Sequence, residues 1–418
     1  MRNAFRALRT RNYRLFFSGQ LVSLIGTWMH IIAQSWLVFE LSRSAVALGV
    51  VTALQFGPML VGGVWGGLIA DRLNKRHILL VTQSLFAVEA TALAVLVATG
   101  AAQLWMVYGL ALIYGVIQVI DVPARQAFVT EMVADDDVMN AVSLNSAVFN
   151  VARMAGPAIA GVIIAKVDLA ICFGVNAASF LAVIVALALM REGDLRIHHE
   201  VASKGRGQIR AGFRYVASKP DLLLPIVLMG VVSTLGLNFQ IVLPVLAKRT
   251  FDGDATTFGT LSAVFAFGSF LGAMYAATRK RPTRRLLVGS AVAFGALEFM
   301  VAFAPSLGVA YLAFPVVGLA GMLFISTANS TVQLNASPVM RGRALSMFSL
   351  VLLGSTPIGG PVIGWISETW SPRAALAVGG AATLVAALLI GAYLLGRSRA
   401  AASAAAEPQP AEELASAV

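Results

Sequence analysis

Charge is what this chain has least of. Only 12% of its 418 residues are Asp, Glu, Lys or Arg, about half the share of a soluble domain. So little polar surface excludes a soluble core of this size. The 58% hydrophobic content runs in long stretches rather than short alternating ones, which excludes a membrane barrel and leaves helices. Cysteine is nearly absent: Cys172 stands alone in an apolar run, so an intrachain disulfide is excluded. The four histidines, His30, His77, His198 and His199, have no zinc spacing with cysteine or acidic partners, so no metal site is expected. The GxxxxGK[ST] phosphate loop is missing. No enzyme constellation and no cofactor follow from these residues. Arg2 to Arg14 is basic, but the apolar run after it is too long for a signal peptide and lacks a small-residue cleavage site. It reads as a retained first helix.

What is present is a series of apolar runs near the ~20 residues a helix needs to cross a bilayer. Twelve spans are predicted, roughly at 15–40, 44–70, 78–99, 104–127, 140–165, 170–190, 221–247, 258–278, 286–303, 308–331, 344–367 and 373–396. The net charge of +11 does not point to nucleic acid, because the positives sit at the ends of apolar segments. They gather at Arg2–Arg14, Arg72–Arg76, Arg191–Lys219, Arg279–Arg285, Arg341–Arg343 and Arg397–Arg399. The opposite loops hold only Arg43, Lys166, Lys248, Arg249 and Arg373. This asymmetry predicts both termini on the cytoplasmic side of a multi-pass membrane protein.

One long polar interruption, 191–220, divides six spans from six. The expected organisation is a bundle over 1–190, a cytoplasmic linker over 191–220, a bundle over 221–396 and a disordered cytoplasmic tail over 397–418. An internal repeat supports two bundles. With Arg285 placed on Arg76, Arg281 and Arg284 fall on Arg72 and Lys75, and Glu298 falls on Glu89. Asn140–Leu144 likewise matches Arg343–Met347 and brings Gly161 onto Gly364. Asp71 falls on Lys280, so only the first half keeps that carboxylate.

The stretch GGVWGGLIADRLNKR, 62–76, is apolar and glycine-rich up to Asp71 and then basic at Arg72, Lys75 and Arg76. Gly67, Asp71, Arg72, Lys75 and Arg76 resemble the loop motif between helices 2 and 3 of the major facilitator superfamily. Asn74 stands where that motif has its second glycine, and asparagine tolerates the left-handed backbone a glycine would supply. Pro123–Phe128, Asn140–Ala141, Leu144–Asn145, Arg153 and Gly156–Pro157, with Ala328–Asn329, Gln333–Leu334 and Arg341–Arg343, are similar to the enterobactin-exporter branch of the drug:proton antiporters. The resemblance implies an all-α fold: twelve transmembrane helices in two pseudo-symmetric six-helix bundles, with alternating access. It also implies a monomer in a bacterial inner membrane. The implied function is export of a small organic molecule, a siderophore or an amphipathic drug, by proton antiport. Symport or uniport import of a small metabolite is the alternative, and a transporter-like receptor that senses its ligand is a third reading.

Charged residues inside spans cost about 3 kcal/mol or more at mid-membrane, so they are the default functional candidates. Glu89, Arg153 and Glu298 are the candidates for proton coupling. Each also admits a structural reading, and the peripheral position of helices 3 and 9 in the superfamily would make the glutamates structural or lipid-facing. Asp121 and Arg125, four apart on one helix face, read first as a local ion pair and second as a cytoplasmic gate with Asp71. By resemblance, Asp71 contacts the other bundle and latches the outward-open state. Gly156, Pro157 and Gly161 give the fifth span a kink similar to the superfamily's antiporter motif, with Ala152 and Ala160 where glycines are usual. Gln20, Ser23, Thr27, His30 and Gln34 advance by three or four and form one polar stripe. Thr27, His30, Gln34, Gln55, Gln118, Asn145, Asn150, Asn238 and Asn329 are the candidates for lining a substrate cavity.

Overall fold

A computed structural model describes residues 5–196, 208–279, 282–338 and 340–406. Helices account for nearly all of the described residues, and their starts are written in the sequence. The first bundle comprises α1 (Arg11–Ser42), α2 (Ala45–Arg72), α3 (Lys75–Ala98), α4 (Leu104–Glu131), α5 (Asp135–Lys166) and α6 (Leu169–Ala188). Ser44, Asn74 and Asp168 cap α2, α3 and α6 by accepting from Ala47, His77 and Ala170 backbone N–H. Asn74 does this from an extended conformation, φ −63 and ψ 115. The left-handed turn expected there is not formed, because the side-chain cap supplies the helix start instead.

A short amphipathic helix, α7 (Gln208–Ala217), follows the segment 197–207, which lies outside the described residues. The second group is α8 (Pro220–Thr250), α9 (Ala255–Ala277), α10 (Arg284–Val301), α11 (Leu307–Asn335), α12 (Arg341–Thr369) and α13 (Pro372–Ala406). Eleven of the twelve long helices are apolar enough to cross a membrane by composition. The remaining one, α10, is 18 residues long and carries Arg284, Arg285 and Glu298. It matches the predicted ninth span in position. Two wider π turns, Val232–Gly236 and Leu246–Thr250, interrupt α8. α12 breaks at Ser355, two residues before Pro357 removes a backbone donor. α5 stays helical through Pro157.

The last helix continues to Ala406, past residue 397, where a disordered tail was expected. Six of the ten residues 397–406 are alanine, the strongest helix former, which favours continuing the helix. Residues 407–418 lie outside the described residues, as do Lys280 and Arg281 of the repeat.

Tyr215 ties α7 to the turn after α11. Its Oη accepts from Ser337 N–H at 2.8 Å and lies 3.2 Å from Ser337 Oγ. These bonds, helped by Lys219 over the ring, pull the phenol down to about 8. Absorbance titration of tyrosinate is expected to show one group ionising near that value. Ser337→Ala should move it back toward 10, the ordinary tyrosine value.

Candidate functional site

Alternation of the helices places one end of the molecule at the starts of α1, α3, α5, α9→α10 and α11→α12, together with α7. Both described chain ends lie there. This is called the near end; the loops at 43–44, 167–168, 251–254 and 370–371 form the far end. The two groups of helices meet along α2 with α12 and α5 with α9, and the contacts that join them gather toward the far end. Ala45 N–H, at the start of α2, donates to Glu368 Oε2 at 2.6 Å. Arg249 Nη2 donates to Glu368 Oε1 at 3.1 Å and to the Arg43 carbonyl, and its guanidinium lies over the Phe39 ring. Trp36 stacks on Phe258 with centroids 6.2 Å apart.

Deeper along the seams the backbones themselves touch. A Cβ on Gly49 would lie 2.8 Å from Pro361 Cα, and one on Gly161 would lie 3.0 Å from both the Ala255 carbonyl and Gly259 Cα. The Arg249–Glu368 pair is about a third exposed on each side, so it contributes at most ~1 kcal/mol. Close backbone packing along two seams is the larger contribution to the seal.

At the near end the latch residues lie apart from the second group. Asp71 is exposed and makes no hydrogen bond or ion pair with a described residue. A Cβ on Gly67 would meet open space. Lys75 Nζ bonds Glu131 Oε1 at 2.6 Å. Arg76 Nε donates to the Leu187 carbonyl at 2.8 Å, satisfying the last turn of α6. The basic half of the motif therefore fastens α3 to α4 and α6 within the first bundle.

Asp121 and Arg125 form the local pair, and it is the centre of a larger network. Asp121 Oδ1 accepts from Thr82 at 2.7 Å and Gln83 at 2.9 Å, its Oδ2 accepts from Arg125 Nε at 3.0 Å, and Arg125 Nη1 donates to Gln20 at 2.6 Å. Asp121→Asn leaves the Arg125 charge short of its counter-ion and is expected to destabilise the protein by about 3–5 kcal/mol. Thermal unfolding in detergent checks it. The double change Asp121→Leu with Arg125→Leu is expected to cost less, because neither charge is then stranded.

The polar stripe on α1 turns largely into the first bundle. Gln20, Ser23, His30 and Gln34 are buried. Gln34 Oε1 accepts from Gln55 Nε2, pairing two of the cavity candidates with each other between α1 and α2. His30 stacks on Tyr114, meets the edge of Phe173, and lies 3.9 Å from Glu89. Asn238 is buried and donates to Thr234 O at 2.8 Å. Thr27, Gln118, Asn145 and Asn150 are half-buried, and Asn329 is exposed.

Both in-membrane glutamates are buried, at 2% exposure for Glu89 and 1% for Glu298, so neither carboxylate faces lipid. Glu298 sits between two glycines: the Cβ positions of Gly236 and Gly379 lie 3.0 Å from its Oε2 and 2.9 Å from its Oε1, and Thr383 Oγ1 is 3.1 Å from the first. Arg153 lies between the rings of Trp28, at 5.7 Å, and Phe265, at 5.8 Å. Phe265 belongs to α9, so this cation touches both groups of helices without an acidic partner among the described residues.

The sequence reading missed Arg249, Glu368 and Thr383. Arg249 and Glu368 were visible only as loop-end charges 119 residues apart, and no local spacing links them.

A family model described as "Transmembrane secretion effector" matches residues 2–418. The chain is 26% identical over 265 residues to the staphyloferrin A transporter of Staphylococcus aureus, covering 62% of this chain and 66% of that protein. It is 23% identical over 263 residues to the enterobactin exporter EntS of Salmonella typhi, covering 63% and 62%. The match therefore spans just under two thirds of those relatives' own length. With the multidrug efflux pump Tap of Mycolicibacterium fortuitum it is 26% identical over 347 residues, covering 80% of this chain and 84% of that one. Among solved structures, the fold resembles a bacterial homolog of the human lysosomal transporter Spinster in an inward-facing, unoccupied conformation, with TM-score 0.73, 16% identity, and 94% and 98% of the two chains covered. It also resembles a D-xylose–proton symporter, with TM-score 0.72, 14% identity, and 90% and 96% covered. The family match over nearly the whole length and the helical fold lead to one assignment: the chain belongs to the transmembrane secretion effectors of the major facilitator superfamily.

Proposed function

We propose that this transporter exports a small organic molecule in exchange for protons, as a monomer in a bacterial inner membrane. In this reading the near end faces the cytoplasm. The observation that carries it is the asymmetry of the two ends. The far end is closed by Glu368, Arg249 and two glycine seams, while Asp71 at the near end has no partner among the described residues. Such a state accepts cargo from the cytoplasmic side. When the ends exchange, Asp71 reaches the second bundle and latches the outward-open form.

Arg153 is the proposed contact for an anionic or aromatic part of the substrate, because its guanidinium already bridges both bundles between two rings. Glu89 is the proposed proton carrier. A buried carboxyl is tolerated at mid-membrane when neutral and strongly disfavoured when charged and alone. Its charge state therefore biases which packing is stable. Export rather than import is supported by relatives named as an exporter and an efflux pump.

The test uses inside-out vesicles with an acidified lumen. Siderophores and amphipathic dyes should accumulate in the lumen, and a protonophore should abolish the accumulation. Accumulation that survives the protonophore contradicts proton coupling, and net uptake into whole cells contradicts export.

A further inference from the structure

We propose that His30 and Glu89 form one proton-sharing dyad, in which the imidazole is the partner that lets Glu89 load and release its proton. The inference rests on the proton-antiport reading above and assigns His30 to the proton site rather than to a cavity wall.

The geometry is that of two buried titratable groups facing each other. His30 Nε2 and Glu89 Oε1 are 3.9 Å apart, with side chains 0% and 1% exposed. Among the described residues, neither ring nitrogen of His30 and neither carboxylate oxygen of Glu89 has a hydrogen-bond partner. Four such atoms together are unusual, because buried polar atoms are nearly always satisfied. The walls are apolar: Tyr114 stacks on the imidazole, Phe173 meets its edge, and Phe86 and Phe180 stack behind.

The charged groups nearby already have partners, while the amide nitrogens of Gln34 and Asn176 are, like the dyad, without one among the described residues. From α4, Asp121 and Arg125 are engaged by their own network. From α6, Cys172 is buried 3.9 Å from the Ala160 carbonyl. From α2, Gln55 is taken by Gln34. From α5, Arg153 lies over Trp28.

A small rotation closes 3.9 Å to a hydrogen bond of about 2.7–2.9 Å. In the step that follows, the Glu89 O–H bond breaks and the His30 Nε2–H bond forms, with the electron pair left on the carboxylate. The pair is neutral before and after, so the transfer leaves no isolated charge in the bilayer. Removing the proton from imidazolium then leaves a lone carboxylate, a strained state that persists only while the pocket is opened to water. Trp28, which touches Arg153, and His30 lie two residues apart on α1, so a shift of this helix at the substrate contact is felt at the dyad.

The test is infrared spectroscopy of the full chain in detergent over about pH 5 to 9, the range in which histidine ordinarily titrates. Wild type should show a carboxylic-acid band that titrates and is lost in Glu89→Gln. His30→Phe keeps a ring against Tyr114 and Phe173 but removes both nitrogens, and His30→Gln keeps polarity without a titrating group. In both, the Glu89 band should persist unchanged across the range. A band that titrates in His30→Phe as in wild type overturns the dyad and leaves Glu89 acting alone. Absence of any Glu89 band that titrates in wild type overturns the proton reading itself.

Discussion

Glu89→Gln is expected to abolish proton-driven efflux, reducing it to the leak of protein-free vesicles, while substrate exchange without a proton gradient continues. Glutamine matches glutamate in size, and the side chain is buried at 2% exposure, so packing around Phe86 and Tyr114 is kept. What is lost is the ability to cycle between a charged and a neutral form. With no change of charge, the proton gradient has no differential hold on the two conformations, and it cannot bias their populations. Flux assays run with and without a gradient separate this from unfolding, because a misfolded variant loses both activities. Unchanged gradient-driven efflux in Glu89→Gln would remove this residue from the mechanism.

The second large effect is expected at the seam between α2 and α12. Gly49→Val places a Cβ 2.8 Å from Pro361 Cα, closer than real side chains approach backbone. Overpacking of this kind costs about 1–3 kcal/mol, and here the cost falls on one conformation only. A bias of that size shifts a two-state equilibrium about 5- to 150-fold. The far end should open, and turnover should fall because the return to the closed packing is penalised. Gly57→Val is the control: a Cβ there meets nothing within 4 Å, although it lies on the same helix. Accessibility of far-end positions to a membrane-impermeant thiol reagent checks the shift. Equal behaviour of the two variants would mean that the seam does not set the equilibrium.

Much of the fold was legible because its causes are local. Long apolar runs and the basic segments between spans both act over a few residues. The motif around Asp71 was also readable, as was the spacing that pairs Asp121 with Arg125. Periodicity showed that Gln20, Ser23, Thr27, His30 and Gln34 share a face of α1. It does not say which neighbour that face meets, and most of the stripe turns toward α2, α3 and α4. The far-end seal was invisible for a related reason. Arg249 and Glu368 meet Arg43 and Ala45 only through the packing of both helix groups. Asn74 and the alanine-rich 397–406 region were misjudged where a side-chain cap and plain helix propensity outweighed an argument from resemblance or composition.

The central claim is that the closed far end and the open near end exchange in a single motion. Distance measurement between pairs of spin labels tests this most directly, and Cys172, the single cysteine, is buried and need not be removed. One pair joins Leu41 to Trp370 at the far end, and the other joins Leu73 to Leu334 at the near end; all four residues are exposed. Because the far-end-closed state buries Glu89, which is tolerated there only when neutral, raising the pH should lengthen the far-end distance in the same fraction of molecules in which the near-end distance shortens. A change at one end without the other, or both ends opening together, would contradict the account.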